Sequence, residues 1–145
     1  GAICADAFES DIQNIYQFGK KLGIAFQLQD DLLDVYGDAE KFGKQVGGDI
    51  IANKKTFLLI SACEQAKGDQ LKSLQSWLDK KEFNSSDKVN AVMSIFNDLN
   101  IKEQTEKKMD QFFHEAMAHL NAVTVNDSKK ELMISFAEKL MVRTS

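Results

Sequence analysis

Apolar residues recur along this chain at helical rather than strand spacing. After a first stretch, 1–8, that reads as the tail of a helix, Ile12, Ile15, Leu22, Phe26 and Leu33 follow one another at intervals of three, four or seven residues. That period predicts an amphipathic helix. Ser10, with Gln13 three residues on, has the spacing of a capping box and predicts the start. Gly37 predicts the end, just after Tyr36. Residues 37–53 then break the pattern. They hold four of the chain's eight glycines, and a connection this long predicts a loop with a task. Further helices are predicted over 56–66, strongly apolar and mostly buried, and over 70–81 with Asp69 as cap. Another starts at Ser85 or Ser86 and reaches Leu99. A long amphipathic helix follows over 101–123, a turn at Asn126-Asp127-Ser128, and a last helix over 129–142. With no strand pattern, repeat or linker, the expected fold class is all-α, and residues 1–145 read as one continuous portion of a domain.

Composition narrows the function classes. Proline is absent, which suits long helices and not a turn-rich sandwich or barrel. No apolar run approaches the roughly 20 residues of a membrane-spanning helix. Eighteen basic residues face 22 acidic ones, for a net charge of −4. Arg143 is the sole arginine. There is no basic stripe for nucleic acid. Cys4 and Cys63 lie too far apart for a metal-ligand spacing. They read as buried free thiols of a reducing compartment, so a cytoplasmic location is expected. The first residues lack a basic signal-peptide region and open in mid-pattern. The expectation is a chain that begins inside a helix of a longer protein.

The candidate chemistry is concentrated in Phe26-Gln27-Leu28-Gln29-Asp30-Asp31-Leu32-Leu33-Asp34. On a helix Gln27, Asp30, Asp31 and Asp34 share one sector about 100° wide. Gly19 and Gly23 lie on the same stripe. Carboxylates one turn apart repel, and anions near a helix C-terminus oppose the macrodipole. No lysine lies one turn away to neutralise them. Residues 27–49 hold six acids and two bases, and the rest of the chain sums to zero. All of the excess negative charge therefore sits at this cluster and its loop. Hard divalent cations fit such a site, Mg²⁺ above all. An EF-hand does not fit, because Leu32 and Tyr36 stand at ligand positions. A di-iron bundle needs Glu-x-x-His, which neither His114 nor His119 completes.

After the acids come Gly43-Lys44, Gly47-Gly48-Asp49 and Asn53-Lys54-Lys55-Thr56. Glycines let backbone N–H groups approach an anion, and lysines give phosphate a point charge. The last lysines stand at a predicted helix N-terminus, itself favourable for anions. A P-loop fails on spacing and on the missing strand. Together with the carboxylates, the loop predicts a diphosphate held between Mg²⁺ and lysines.

Phe-Gln-x-x-Asp-Asp-x-x-Asp, then Gly-Lys-x-x-Gly-x-Asp, then Asn-Lys-x-Thr resembles the second aspartate-rich region of the trans-isoprenyl diphosphate synthases, the polyprenyl synthetase family. Leu140-Met141-Val142-Arg143 is similar to the family's C-terminal helix. The resemblance implies an isoprenoid-synthase-type helical bundle around a deep cavity. It implies a Mg²⁺-dependent transferase that condenses an allylic diphosphate with isopentenyl diphosphate, giving a longer trans-polyprenyl diphosphate and pyrophosphate. By the same resemblance Asp30 and Lys44 are the catalytic residues, and Asp30, Asp31 and Asp34 are metal ligands. Phe26, Gln27, Lys44 and Lys54 would contact substrate, with Asp49 an acid behind the metal. Homo-oligomers are expected. A terpene cyclase shares the fold, but the Gly-Lys and Asn-Lys-Lys-Thr elements favour chain elongation.

The family's first aspartate-rich motif does not occur in this sequence, nor do the basic residues that hold isopentenyl diphosphate. The expectation is the C-terminal half of a synthase, unable to turn over substrate alone. The rival reading is a non-catalytic helical interaction module or subunit whose acids form an exposed face.

Overall fold

The computed structural model describes the backbone over 2–37, 47–124 and 127–142, and side chains within 9–37, 47–124 and 127–141. All regular structure there is helical: α1 (Ala2–Tyr36), α2 (Gly48–Ile51), α3 (Phe57–Gln65), α4 (Asp69–Asp79), α5 (Ser85–Asp98), α6 (Ile101–Asn121) and α7 (Asp127–Val142).

Most boundaries fall within two residues of those expected, and each difference has a physical cause. α1 runs unbroken through Ser10 for 35 residues. The alanines Ala2, Ala5 and Ala7 favour helix, and a serine caps only where the backbone leaves helical geometry. Gly37 does end α1. Its N–H donates to Leu33 O at 2.8 Å, and a Cβ there would lie 2.3 Å from that same oxygen. Asn84, not a serine, caps α5 by accepting from Asp87 N–H at 3.0 Å. Asp69 lies inside the first turn of α4, because Gly68 before it takes φ +61°. The expected loop over 37–53 contains α2, and its central part, 38–46, lies outside the described residues.

The chain divides into two compact units, Gly1–Gln29 with Lys107–Ser145, and Asp30–Glu106. The first unit is built on Phe18, Leu22, Ala116, Leu120 and Ala137. Phe113, Met117, Met133, Ile134 and Leu140 pack against them. Polar ties reinforce it. Lys21 pairs with Glu115 at 2.9 Å, and the Asp11 carboxylate accepts from the Thr124 N–H and hydroxyl. Buried Gln29 donates to Met141 O at 2.6 Å.

In the second unit α5 is the hub on which α2, α3 and α4 pack. Val92, Ile95 and Phe96 of α5 are buried, as are Leu58, Ala62, Leu74 and Ile101 of its neighbours. Burying each of the larger side chains among these contributes about 1.5–3 kcal/mol. Cys63 is only partly buried, which corrects the expectation of a buried thiol at that position. Desolvation, with Glu64 adding to it, pushes that thiol's pKa up and keeps it protonated.

Candidate functional site

The end of α1 and the segment from Gly47 to Thr56 build one polar centre in the second unit. Asp34 connects them. Its main-chain oxygen accepts from Gly47 N–H at 2.6 Å, and its carboxylate Oδ2 accepts from Asp49 N–H at 2.8 Å. A short helix with no side-chain cap of its own is thus capped by an acid from α1. Gly47 is required on two grounds. Its φ is +88°, and a Cβ would lie 2.7 Å from a Val89 methyl. After α2 the chain turns at Asn53, which takes φ +55°. Lys54 N–H then donates back to Asp49 O at 2.9 Å. Thr56 caps α3 by accepting from Leu59 N–H at 3.1 Å.

These constraints carry Lys54 to the acids. Its Nζ lies 3.7 Å from Asp31 Oδ1 and 3.9 Å from Asp49 Oδ2. The Asp31 side chain is 7% exposed and that of Lys54 is 53% exposed. Both distances exceed hydrogen-bond length. The ammonium therefore sits loosely between two carboxylates, half in water, and can turn to a ligand anion. Asp30, Asp31, Asp34 and Asp49 make this end of α1 and the segment after it rich in carboxylates. Behind Lys54 and Asp49 is a cavity lined by Val35, Thr56, Leu78 and Phe96, with room for about one water. It is far below the size of a ligand pocket.

The structure thus brings together four of the residues singled out in the sequence, Asp31, Asp34, Asp49 and Lys54. Asp30 stands beside Asp31 on α1, partly exposed. Phe26 and Gln27 lie on the part of α1 that belongs to the first unit. Lys44 lies outside the described residues. Among the described residues no three His, Cys, Asp or Glu side chains are arranged to hold a metal by themselves. Mg²⁺ does not need such a cage. It commonly takes one or two carboxylates and completes its shell with water and phosphate oxygens. Asp34 Oδ1 and the carboxylates of Asp30 and Asp31 are hard oxygen donors of that kind.

One residue of the centre escaped the sequence reading. Lys88 of α5 is fully buried, and its Nζ donates to Asn53 Oδ1 at 2.5 Å. The signal was present, since Lys88 falls on the apolar stripe of α5 with Val92 and Ile95, where a lysine is out of pattern.

The chain's solved relatives define its class, an all-helical polyprenyl-synthase fold. The chain matches the crystal structure of a geranylgeranyl pyrophosphate synthase with a TM-score of 0.81 and 32% identity, over 94% of this chain and 43% of that one. A geranylgeranyl pyrophosphate synthase of Corynebacterium glutamicum, complexed with isoprenyl diphosphate and magnesium, matches with a TM-score of 0.78 and 27% identity, over 91% and 37% of the two chains. The chain belongs to the polyprenyl synthetase family, whose model matches residues 1–96. A short chain isoprenyl diphosphate synthase of Methanocaldococcus jannaschii is 41% identical over 81 residues, covering 56% of this chain and 25% of the relative. A farnesyl pyrophosphate synthase of Saccharomyces cerevisiae is 30% identical over 137 residues, covering 94% and 38%. The chain thus spans about a quarter of the length of the first of these relatives and under half of the second.

Proposed function

We propose that this chain supplies the diphosphate-gripping half of a trans-prenyltransferase, which condenses an allylic diphosphate with isopentenyl diphosphate to a longer trans-polyprenyl diphosphate and pyrophosphate. The observation that carries this is the placement of Lys54 Nζ between Asp31 and Asp49. It is supported by membership of the family and by a magnesium-bound and isoprenyl-diphosphate-bound structural relative. Asp31 is buried and paired, which argues against the acids being a solvated face for a partner protein.

In this reading Lys54 turns from its carboxylates to the diphosphate of the allylic substrate. There it offsets the negative charge that grows on the leaving oxygens as the carbon–oxygen bond breaks. Asp34 and Asp49 hold the backbone that presents Lys54. Asp30 is the first carboxylate for a divalent cation, with Asp31 and Asp34 as further oxygen donors. Mg²⁺ bound there would supply Lewis acidity to the departing diphosphate. Gln27 and Lys44 are proposed as further diphosphate contacts, and Phe26 as a wall of the substrate channel. The alkene of isopentenyl diphosphate attacks the allylic carbon, and the proton that is then lost goes to the released pyrophosphate.

Three further features belong to the proposal. Ile12, Ile15, Tyr16, Leu132 and Phe136 leave large apolar surface exposed in the first unit, which supports a homo-oligomer. The 145 residues contain one aspartate-rich motif, so binding without turnover is expected of them alone. The cytoplasm is the proposed compartment. No helix among the described residues is long and apolar enough to cross a membrane.

Calorimetry with pyrophosphate and Mg²⁺ tests the reading. Metal-dependent binding that Lys54→Met weakens at least tenfold is the expected result. No metal-dependent binding, or binding that Lys54→Met leaves unchanged, contradicts it.

A further inference from the structure

Lys88 has no place in the chemistry above, yet it is the largest fully buried side chain among the described residues. Among those residues no carboxylate pairs with it. Its Nζ instead donates to Asn53 Oδ1 at 2.5 Å and lies 3.4 Å from Ile51 O. It also sits 4.3 Å above the centre of the Phe83 ring. Asn53 is gripped from its other end too, with Nδ2 donating to Leu78 O at 2.9 Å. The amide of Asn53 is thus held between α5 and the end of α4, at a residue with φ +55°. The next residue is Lys54.

We propose that Lys88 is a positioning residue. Its buried ammonium locks the left-handed turn at Asn53 and so fixes where Lys54 stands relative to Asp31 and Asp49. The proposal rests on the diphosphate-binding reading for its purpose, and on the turn alone for its geometry. Burying an ammonium without a counter-ion is unfavourable, and desolvation pushes the pKa of Lys88 down. A methionine would fill much of the same space without that penalty. What methionine lacks is a donor for Asn53 Oδ1 and Ile51 O. Those two acceptors flank the turn that delivers Lys54, so the donor acts where the backbone holds the left-handed conformation of Asn53.

The test uses the whole chain with Lys88→Met, Asn53→Gly and the double variant. Glycine keeps the positive φ and deletes the amide. Two quantities are read: exchange of the Lys54 backbone amide in the ligand-free protein, and the Kd for pyrophosphate with Mg²⁺. In both single variants the Lys54 amide should exchange faster, while the amides of Val92 and Ile95 in α5 keep their protection. Pyrophosphate binding should weaken by about tenfold, as is usual when a supporting residue is lost. The double variant should be no worse than either single one. Unchanged exchange at Lys54 in both variants overturns the proposal. So does an equal loss of protection along α5, which would mark Lys88 as part of the packing alone. If the unsubstituted chain fails to bind pyrophosphate, the functional reading falls, and the Lys54 amide still decides whether Lys88 holds the turn. Asn53→Gly decides it if Lys88→Met does not fold.

Discussion

At Lys54 the distances decide what the side chain is for. Ion pairs of 3.7 and 3.9 Å with a half-exposed ammonium contribute little to stability, about 0–1 kcal/mol. Lys54→Met is therefore expected to change unfolding free energy in urea by less than about 1 kcal/mol while it removes most of the pyrophosphate affinity. A large loss of stability would assign Lys54 to the fold instead. Asp31 and Lys54 stood out in the sequence because each falls in a short contiguous motif, and the structure brings the two side chains to 3.7 Å. Lys88 was not, because its partner Asn53 lies 35 residues away and nothing local distinguishes a buried lysine from a solvated one except its place on an apolar stripe.

Among the elements, α2 is the one that depends most on others. Four residues cannot sustain a helix alone. Its N-terminus is satisfied by Asp34 of α1, and its packing comes from α5. Asp34→Ala should cost about 1–2 kcal/mol, as other lost caps do. It should also expose the Asp49 amide to fast exchange, while the amides inside α3 stay protected. An unchanged Asp49 amide would show that α2 holds without its cap. Helix existence and order were readable from the apolar period, and most ends from glycine or cap residues. What failed was the choice among neighbouring caps, as at Ser10 and at Asn84 against Ser85. A polar side chain announces that it can cap, and only the path of the backbone determines whether it does. The capping of α2 by Asp34 was hidden for the same reason as Lys88, since it joins residues 15 apart in sequence.

On the scale of the molecule, the first unit is tied by ionised groups and should register acid. Asp11 lies below its ordinary pKa of 3.8 because it accepts from the Thr124 hydroxyl and N–H. Glu115 lies below its ordinary 4.5 because of hydrogen bonds from Lys21 and Gln111. For lowered carboxylates the contribution to stability is full above the ordinary pKa and is lost as pH falls through the folded value. The melting temperature should therefore decline below about pH 4. Asp11→Asn and Glu115→Gln should each flatten that decline, and an unaltered acid limb would place the cause elsewhere. The all-helical class was legible from the absence of proline and the helical period. The division into two units was not, because α1 and α6 each run through a boundary without any change in pattern.

The central claim is that one lysine and the carboxylates around it share a divalent cation and a diphosphate. Manganese can stand in for magnesium as a paramagnetic ion that broadens the NMR signals of nearby amides. With pyrophosphate present, broadening centred on residues 30–34 and 47–54 is the predicted result. Broadening spread over surface acids of α4 and α6, with those two stretches untouched, would contradict the claim.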